Sequence, residues 1–261
     1  MMTTFYKFHG AGNDFIMIDG RLHPEIPAPS TIAKWCSRRT GIGADGLMVL
    51  KPVAGFDFEM VYYNADGSKA DMCGNGARCS VAFAFMSGLC GKACRFMAGD
   101  GPHTGRIIEA GERCWMVEVS LVDVKLPENP DAIINTGNPH LVIVTEDTNA
   151  IDVVSEGRRI RFSLPYAEQG VNVNWMSIHE DHLWVRTYER GVEDETLSCG
   201  TGITASAIKA ALFTGKNEWK IETRGGKLHV RMQRNAQVFN HIFLSGPAVM
   251  VFKGELKRDE A

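Results

Sequence analysis

The chain has 261 residues, of which 44% are hydrophobic and 23% are charged, and its formal net charge is −3. This length allows one or two domains with hydrophobic cores, and the small negative charge gives no basic surface for nucleic acid. No apolar run approaches the ~20 residues of a membrane span, and the first seven residues lack the apolar core of a signal peptide. We therefore expect a cytoplasmic globular protein that binds neither nucleic acid nor membranes.

The beginning of the chain predicts strands, a short helix and glycine-rich loops. Strands are expected on both sides of the loop at residues 9–13, and a helix is expected over residues 30–39 with Ser30 as its N-cap. Residues 41–46, GIGADG, match the G-x-G-x-x-G fingerprint of dinucleotide sites. That fingerprint needs a strand before it and a helix after it, whereas here a helix is predicted before it and a strand after it. The sequence therefore argues against nucleotide binding.

Two stretches, residues 73–76 and 199–202, have the same pattern Cys-Gly-x-Gly. Each leads into an apolar run that ends in a glycine, Gly88 in one case and Gly215 in the other. A helix that is apolar on most sides is a buried one, and a glycine just past its end is a common C-cap. Each stretch thus predicts a cysteine at the start of a buried central helix, whose first N–H groups can hold an anion.

The rest of the chain predicts further strands around these helices. Several short strands are expected over residues 92–125, and residues 126–131, LPENPD, are the best candidate for a linker. A helix is predicted within residues 148–159, and strands are predicted to begin near residues 170, 183, 219, 227 and 238. The apolar segment 248–252 is expected to return to the first domain.

Fragments of the sequence recur at nearly one offset, which indicates two similar halves. Gly12-Asn13 matches Gly137-Asn138 at an offset of 137 − 12 = 125, and the two cysteines differ by 199 − 73 = 126. Two such halves would bring their helix starts to a shared cleft, where ligand pockets commonly form. We predict an α+β (mixed α/β) fold whose first half is residues 1–125 with the tail 248–261, and whose second half is residues 126–247.

Seven cysteines, an odd number, suit a reducing compartment with free thiols. No C-x-x-C redox motif occurs, and neither Cys-Gly-x-Gly stretch has neighbouring ligands at zinc-site spacing. Cys90 and Cys94 come closest to such spacing, but they lack a second pair. Five cysteines are interpreted as small buried hydrophobic residues, namely Cys36, Cys79, Cys90, Cys94 and Cys114.

Two equivalent cysteines suit the inversion of a stereocentre. One thiolate can remove a proton from one face of a carbon atom while the opposite thiol returns a proton to the other face. Helix N-termini then supply N–H donors for the charge that develops on the neighbouring carboxylate, so no metal is required. We expect the domains to close around the substrate, because excluding water strengthens these interactions.

Six motifs, taken together and in order, resemble the diaminopimelate epimerase family. They are HGAGNDF at 9–15, NADGS at 64–68, MCGNGARC at 72–79, GNPH at 137–140, ERG at 189–191 and CGTG at 199–202. The resemblance covers nearly the whole chain and implies two pseudo-symmetric domains, each a barrel-like β-sheet around a central helix, with the active site in the cleft between them. It also implies a homodimeric, cofactor-independent enzyme that interconverts LL- and meso-diaminopimelate in lysine and peptidoglycan-precursor synthesis.

The resemblance assigns roles to individual residues, with Cys73 and Cys199 as the acid/base pair. The reacting carboxylate would be held by the backbone of Gly74, Asn75, Gly200 and Thr201. The reacting amino group would lie near His140 and Glu189. The distal end of the substrate would be bound by Asn13, Asn64, Asn138, Asn172 and Arg190. An arginine can pair bidentately with a carboxylate, which fits this last role. The acidic run at residues 193–195 is expected to face solvent.

Several alternatives stay open on the sequence alone. A histidine racemase on the same scaffold is the hardest to exclude, whereas relatives that act on proline favour a histidine where Asn75 stands. A non-catalytic amino-acid-binding protein could keep the cleft, although two retained cysteines argue against it. A thiol-redox protein would join Cys73 and Cys199 in a reversible disulfide. Without the resemblance, the asparagines would be turn residues, His140 a structural histidine and Glu189-Arg190 a surface pair.

Overall fold

The computed structural model describes residues 2–126, 129 and 133–257. The chain divides into two compact units. Unit 1 is formed by the chain up to Val119 together with the chain from Gly246 onward, and unit 2 is Ser120–Ser245. Most of the predicted linker at residues 126–131 lies outside the described residues.

Unit 1 contains a set of strands and two helices. The strands are β1 (Met2–Gly10), β2 (Asn13–Asp19), β3 (Gly46–Lys51), β4 (Phe58–Asn64), β5 (Lys69–Ala70), β6 (Ala93–Ala98), β7 (Gly101–Ala110) and β8 (Cys114–Ser120), and the helices are α1 (Pro29–Cys36) and α2 (Gly74–Met86).

Unit 2 has a similar set of elements. The elements are β9 (Val124–Lys125), β10 (Ile134–Asn135), β11 (Pro139–Val144), a 3-10 helix (Thr148–Ala150), α3 (Val153–Arg161), β12 (Asn172–Ile178), β13 (His182–Glu189), β14 (Asp194–Thr196), α4 (Gly200–Thr214), β15 (Glu218–Thr223), β16 (Gly226–Asn235) and β17 (Val238–Lys257). The last strand runs past Ser245, so its second part belongs to unit 1.

Eight strands of unit 1 close into a barrel around α2. The hydrogen-bonded order is β1-β2-β3-β4-β6-β7-β8-β17, and β17 pairs back onto β1. The pairs β2–β3 and β4–β6 are parallel and the other pairs are antiparallel. Helix α2 packs inside against β1, β2, β3, β4 and β7. A closed sheet leaves no unpaired edge, and its inner face buries the helix.

Unit 2 repeats the same order of pairings. Strands β10, β11, β12, β13, β15 and β16 match β1, β2, β3, β4, β6 and β7, and the two parallel pairs, β11–β12 and β13–β15, fall at the same places. Helix α4 packs against β11, β12, β13, β15 and β16. The predicted fold class, mixed α/β with a barrel-like sheet around a central helix in each half, is therefore confirmed.

The two central helices are buried because they are apolar on most sides. In α2, residues from Gly74 to Ala84 are all buried, and Phe83 is completely so, which by itself stabilises the fold by roughly 2–3 kcal/mol. Helix α4 ends as predicted, with Gly215 in the left-handed conformation at φ 74°. None of the helices within the described residues is long and apolar enough to cross a membrane.

The prediction for the short helix α1 is wrong at both ends. The helix begins at Pro29, and Ala28, not Ser30, is its N-cap without a side-chain bond. Proline suits the first helical position because its φ is preset and its missing N–H would lack a helical partner there anyway. The helix ends at Cys36 because Ser37 is extended. The predicted order around residues 41–46 is confirmed, with α1 before them and β3 after them.

Candidate active site

Each of the two cysteines is the N-cap residue of a central helix. Cys73 precedes α2 and Cys199 precedes α4, both with extended backbone, and neither sulfur forms a side-chain cap bond. Their carbonyl oxygens accept the first helical hydrogen bonds, from Ala77 N at 2.7 Å and Ile203 N at 2.9 Å. The N–H groups of the first turn point away from the helix at this end, so each sulfur lies beside donors suited to a carboxylate.

The second glycine of each Cys-Gly-x-Gly stretch lets the helix start lie against the barrel wall. A Cβ on Gly76 would be 1.8 Å from the Met48 side chain, and a Cβ on Gly202 would be 2.3 Å from Nδ2 of Asn174. Both distances are far below van der Waals contact. The glycines are therefore required by close packing, in addition to any role of the backbone in binding.

In unit 1, three of the predicted site residues contact one another. The Cys73 sulfur lies 3.5 Å from Oδ1 of Asn13, and Nδ2 of Asn75 lies 3.4 Å from the same oxygen. The other end of the Asn13 amide donates to Asp45 Oδ2 at 2.6 Å. Asn13 is thus fixed between the helix start and a carboxylate that precedes β3.

An ion network behind Asn13 holds this carboxylate in place. Arg38 donates to Asp45 at 2.6 Å and to Asp14 at 2.8 Å, and Lys7 lies 2.7 Å from Asp14. Burial acts to raise the pKa of Asp14, but the hydrogen bonds and charges of Arg38 and Lys7 outweigh it and hold that pKa at about 2. Asp14 is therefore kept as an anion by the two cations that sit next to it.

In unit 2, strand register brings four polar side chains to one place under the start of α4. His140 on β11 is the parallel partner of Asn172 on β12, and Asn174 faces Thr187 across the β12–β13 ladder. All four residues are buried, with exposed fractions of 3% or less. Side chains two residues apart point to the same side of a strand, so Asn172 and Asn174 both face the helix.

The hydrogen bonds of this cluster fix which nitrogen of His140 carries its proton. Asn174 donates from Nδ2 to Thr187 at 2.7 Å, so its Oδ1 accepts from His140 Nδ1 at 2.8 Å. The Nε2 atom is then an acceptor and receives the hydroxyl proton of Thr201 at 2.9 Å. The Thr201 oxygen is left to accept from the Cys199 thiol, whose sulfur lies 3.4 Å away.

His140 is neutral at physiological pH. Burial lowers its pKa to about 4, the hydrogen bond to Asn174 opposes this shift, and the charge of Arg190 adds to it. A neutral ring keeps Nε2 as an acceptor, so the chain of hydrogen bonds from Thr187 to Cys199 holds at neutral pH.

We expect the pKa of His140 to make the protein less stable as the pH falls from ~6.5 to 4. In this window the unfolded chain binds a proton at this histidine and the folded chain does not, so stability falls by at most about 3 kcal/mol. Urea unfolding midpoints at pH 7 and pH 5 should show the loss in the unaltered protein. His140→Asn should weaken this dependence, whereas His241→Asn, at an exposed histidine, should keep it. Equal slopes in the two variants would contradict the assignment.

Arg190 links further predicted residues in unit 2. Its backbone N–H donates to Asn172 Oδ1 at 2.8 Å, and its guanidinium lies 3.3 Å from Asn138 Oδ1 and 2.7 Å from the Gln169 carbonyl. Asn172 also reaches His140, with Nδ2 3.5 Å from Nε2. Asn138, His140, Asn172 and Arg190 thus form one connected group.

The remaining two predicted side chains, those of Asn64 and Glu189, lie at strand ends. Asn64 ends β4 and donates to Ser68 at 3.1 Å, as a turn asparagine would. Glu189 ends β13 and is the ladder partner of Asp194.

The expectation that residues 193–195 face solvent is correct for Asp194 and wrong for its neighbours. Glu195 has a side chain only 8% exposed, because Arg186 at 2.7 Å and Arg224 at 2.8 Å both pair with it. Glu193 accepts from the buried Tyr188 hydroxyl at 3.0 Å. Glu193 is partly exposed and lies 3.4 Å from Arg161 Nε, so each of these two carboxylates has an arginine beside it.

Sequence reasoning missed several residues that support the site. Asp45 lies in the GIGADG stretch, whose sequence pattern matches only a nucleotide-binding fingerprint. Asn174 and Thr187 are polar residues within apolar strands, and the alternation Asn172-Val173-Asn174 is the signal that could have identified this polar face. Thr136, which donates to the Thr201 carbonyl at 2.9 Å, had no sequence signal of its own.

The remaining cysteines are mostly placed as predicted. Burial raises the pKa of Cys36 to about 11 and that of Cys79 to about 12, so both stay protonated. Cys94 is also buried, Cys90 is half-buried and hydrogen-bonded to it, and Cys114 is exposed. The expectation of burial is therefore wrong for Cys114, which lies at the start of a strand. Among the described residues, no three His, Cys, Asp or Glu side chains are grouped as a metal site would require.

Comparison with known sequences identifies the family. A family model described as diaminopimelate epimerase matches residues 5–121 and 132–251. A diaminopimelate epimerase of Flavobacterium psychrophilum is 45% identical over 255 residues, which cover 95% of this chain and 98% of that protein. One from Aquifex aeolicus is 37% identical over 278 residues, covering 98% of each chain.

Solved structures with low sequence identity share the fold. A PhzF-family phenazine biosynthesis protein of Bacillus anthracis aligns with a TM-score of 0.74 at 13% identity, over 99% of this chain and 100% of that one. A hydroxyproline epimerase of Agrobacterium vitis aligns with a TM-score of 0.74 at 15% identity, over 99% and 93%. These likenesses show the architecture, and the sequence matches show the family. The chain belongs to the diaminopimelate epimerase family.

Proposed function

We propose that this protein is an isomerase that interconverts LL- and meso-diaminopimelate without a cofactor, with Cys73 and Cys199 as the acid/base pair. The observation that carries the proposal is that both cysteines are N-cap residues of central helices, in two units with the same order of strands. Membership of the diaminopimelate epimerase family supports the substrate.

The proposed reaction moves one proton off the α-carbon and a different proton onto it. One cysteine is a thiolate and removes the α-proton, and the other is a thiol that donates a proton to the opposite face. In the reverse direction the two cysteines exchange these roles. The negative charge that develops on the α-carboxylate is stabilised by N–H groups at the helix starts, from Gly74, Asn75, Gly200 and Thr201.

The other predicted residues are proposed to bind the rest of the substrate. Asn13, Asn64, Asn138, Asn172 and Arg190 would hold the distal amino-acid end, and His140 and Glu189 would lie near the reacting amino group. The contacts of Arg190 with Asn138 and Asn172 support a shared site for the distal group in unit 2. Family resemblance also supports a homodimer and a cytoplasmic location, and both belong to the proposal.

Incubation with LL-diaminopimelate in deuterium oxide tests the reaction directly. We expect meso product that carries one deuterium at the inverted carbon, because the returned proton comes from a thiol that exchanges with solvent. Neither pyridoxal phosphate nor a metal should be needed, and a chelator should leave the rate unchanged. Mass spectrometry of the product, after separation of the stereoisomers, measures the label.

Two outcomes would contradict the proposal. Meso product without solvent label would exclude exchange at a thiol, and loss of activity with a chelator would indicate a metal. Histidine and proline, tested in the same assay, decide the substrate class, since inversion of either one in preference to diaminopimelate would favour a racemase on the same scaffold.

A further inference from the structure

Arg78, in the second turn of α2, is a fully buried guanidinium without a carboxylate partner. Its side chain has no exposed surface, and among the described residues no Asp or Glu lies within ion-pair distance of it. Its partners are neutral, namely Asn75 Oδ1 at 2.8 Å and the Gly74 carbonyl at 3.4 Å. A buried charge that lacks a counter-charge is strongly destabilising, so its presence requires an explanation.

Arg78 lies directly behind the residues that surround the Cys73 sulfur. Hydrogen bonds run from Arg78 to Asn75, from Asn75 to Asn13 at 3.4 Å, and from Cys73 to the same Asn13 oxygen at 3.5 Å. The strand end at Gly10 closes over the guanidinium, since a Cβ there would be 3.3 Å from one of its nitrogens. The positive charge is thus shielded from water and fixed at the Cys73 end of the helix.

Two thiols lie close enough to Arg78 for their charge to act on it. Burial lowers the pKa of Arg78 to about 10, and the two groups whose charge acts to raise it are Cys79 and Cys73. Cys79 is itself fully buried, and burial raises its pKa to about 12, so it stays a neutral thiol. Cys73, unlike Cys79, is only half-buried.

Other charged groups at this end of the barrel already have partners of their own. The ends of the strands around α2 carry His9, Asp14, Asp45, Tyr63 and His103. Asp14 and Asp45 pair with Arg38, and His103 pairs with Asp100 at 2.9 Å. Burial raises the pKa of Tyr63, with Glu59 adding to the shift, so Tyr63 is neutral, and His9 accepts from the Gly12 N–H at 3.4 Å. Among the described residues at this end of the barrel, Arg78 is thus a buried cation with no carboxylate beside it.

We propose that Arg78 is the charge that holds Cys73 as a thiolate, acting on the sulfur through space. Ionisation of Cys73 ends the bond that its thiol donates to Asn13 Oδ1, so the hydrogen bonds position the sulfur near Arg78 but do not carry the effect. The guanidinium and the thiolate then compensate each other inside the barrel, in a region of low dielectric constant. This inference rests on the proposed function only in taking Cys73 as the proton carrier. Arg78 touches no substrate in this account and acts through Cys73.

Two substitutions distinguish the effect of the Arg78 charge from the effect of its hydrogen bonds. Arg78→Gln keeps a donor but removes the charge, and Arg78→Lys keeps the charge. The readout is the pH midpoint for alkylation of Cys73 by iodoacetamide, followed peptide by peptide with mass spectrometry. Cys199 in the same sample is an internal comparison, and Arg106→Gln, at an exposed arginine of β7 paired with Glu118, is the matched control.

We expect Arg78→Gln to raise the Cys73 midpoint by about one pH unit or more and to leave the Cys199 midpoint unchanged. Arg78→Lys should restore most of the shift, and Arg106→Gln should cause none. In turnover assays, Arg78→Gln should lower kcat and change KM little. A folded Arg78→Gln protein with an unchanged Cys73 midpoint would overturn the inference, as would equal shifts in the Gln and Lys variants.

The unaltered protein supplies a test that does not depend on how the variants fold. Its Cys73 midpoint should lie below the ~8.5 of an ordinary thiol, and a midpoint at or above that value would overturn the inference. Alkylation needs no substrate, so this result is independent of the deuterium assay. Loss of diaminopimelate turnover with a low Cys73 midpoint would count against the proposed function alone.

Discussion

Replacing either Cys73 or Cys199 by alanine removes epimerisation and leaves the fold intact. Each variant lacks one of the two proton carriers, and general acid/base groups contribute on the order of 10²–10⁴-fold each, so turnover should fall by at least about 10³. The fold should persist because neither sulfur caps its helix. Circular dichroism and urea midpoints measure the fold, and coupled or chiral assays measure turnover.

A matched control for these variants is Cys114→Ala, which removes an exposed cysteine of unit 1. It should keep full activity. Full turnover in either Cys73→Ala or Cys199→Ala would refute the role of that cysteine.

The single-cysteine variants allow a sharper measurement in deuterium oxide. One remaining thiolate can still remove a proton from one face of the substrate and return a deuteron to the same face. Each variant should therefore exchange the α-hydrogen of one stereoisomer without inverting it, and the two variants should act on opposite isomers. Exchange of both isomers by one variant would mean that its remaining cysteine is not the sole base.

Gly202→Ala is expected to lower both stability and activity. Alanine in a helix normally stabilises by about 1 kcal/mol relative to glycine. Here the added Cβ would lie 2.3 Å from Asn174 Nδ2 and 3.2 Å from the His140 ring, so buried hydrogen bonds must break. We expect a net loss of about 1–3 kcal/mol, because overpacking outweighs the helix propensity.

Activity in Gly202→Ala should fall at least about tenfold, since the Asn174–His140–Thr201 contacts lead to Cys199. Urea midpoints and kcat/KM measure the two effects. Gly91→Ala is the control, because a Cβ there meets nothing within 4 Å. A Gly202→Ala protein that is as stable as the parent would show that the polar cluster tolerates displacement.

Local patterns in the sequence were sufficient to predict where the two central helices begin and where most strands lie. The apolar runs after Cys73 and Cys199 could only form buried helices, and the structure places both cysteines as N-caps. The recurring offset between the halves predicted the repeated strand order. These features depend on neighbouring residues, which a sequence displays directly.

Features that depend on pairing between distant segments were not predictable in the same way. The contact of Asp45 with Asn13 and the burial of Glu195 between two arginines depend on strand register. The sequence shows only charged residues near glycines in both cases. The absence of a counter-charge at Arg78 is likewise invisible until the packing around α2 is known.

The position of strand β17 affects the order in which the two units can fold during synthesis. Its second part pairs with both β8 and β1, with Leu256 opposite Thr3, and so completes the barrel that the first residues began. The ribosome delivers the N-terminal strands first, but their closing partner follows only after residues 120–245 have been made. Those residues can finish their own sheet earlier, whereas the barrel around α2 must wait until the second part of β17 is synthesised.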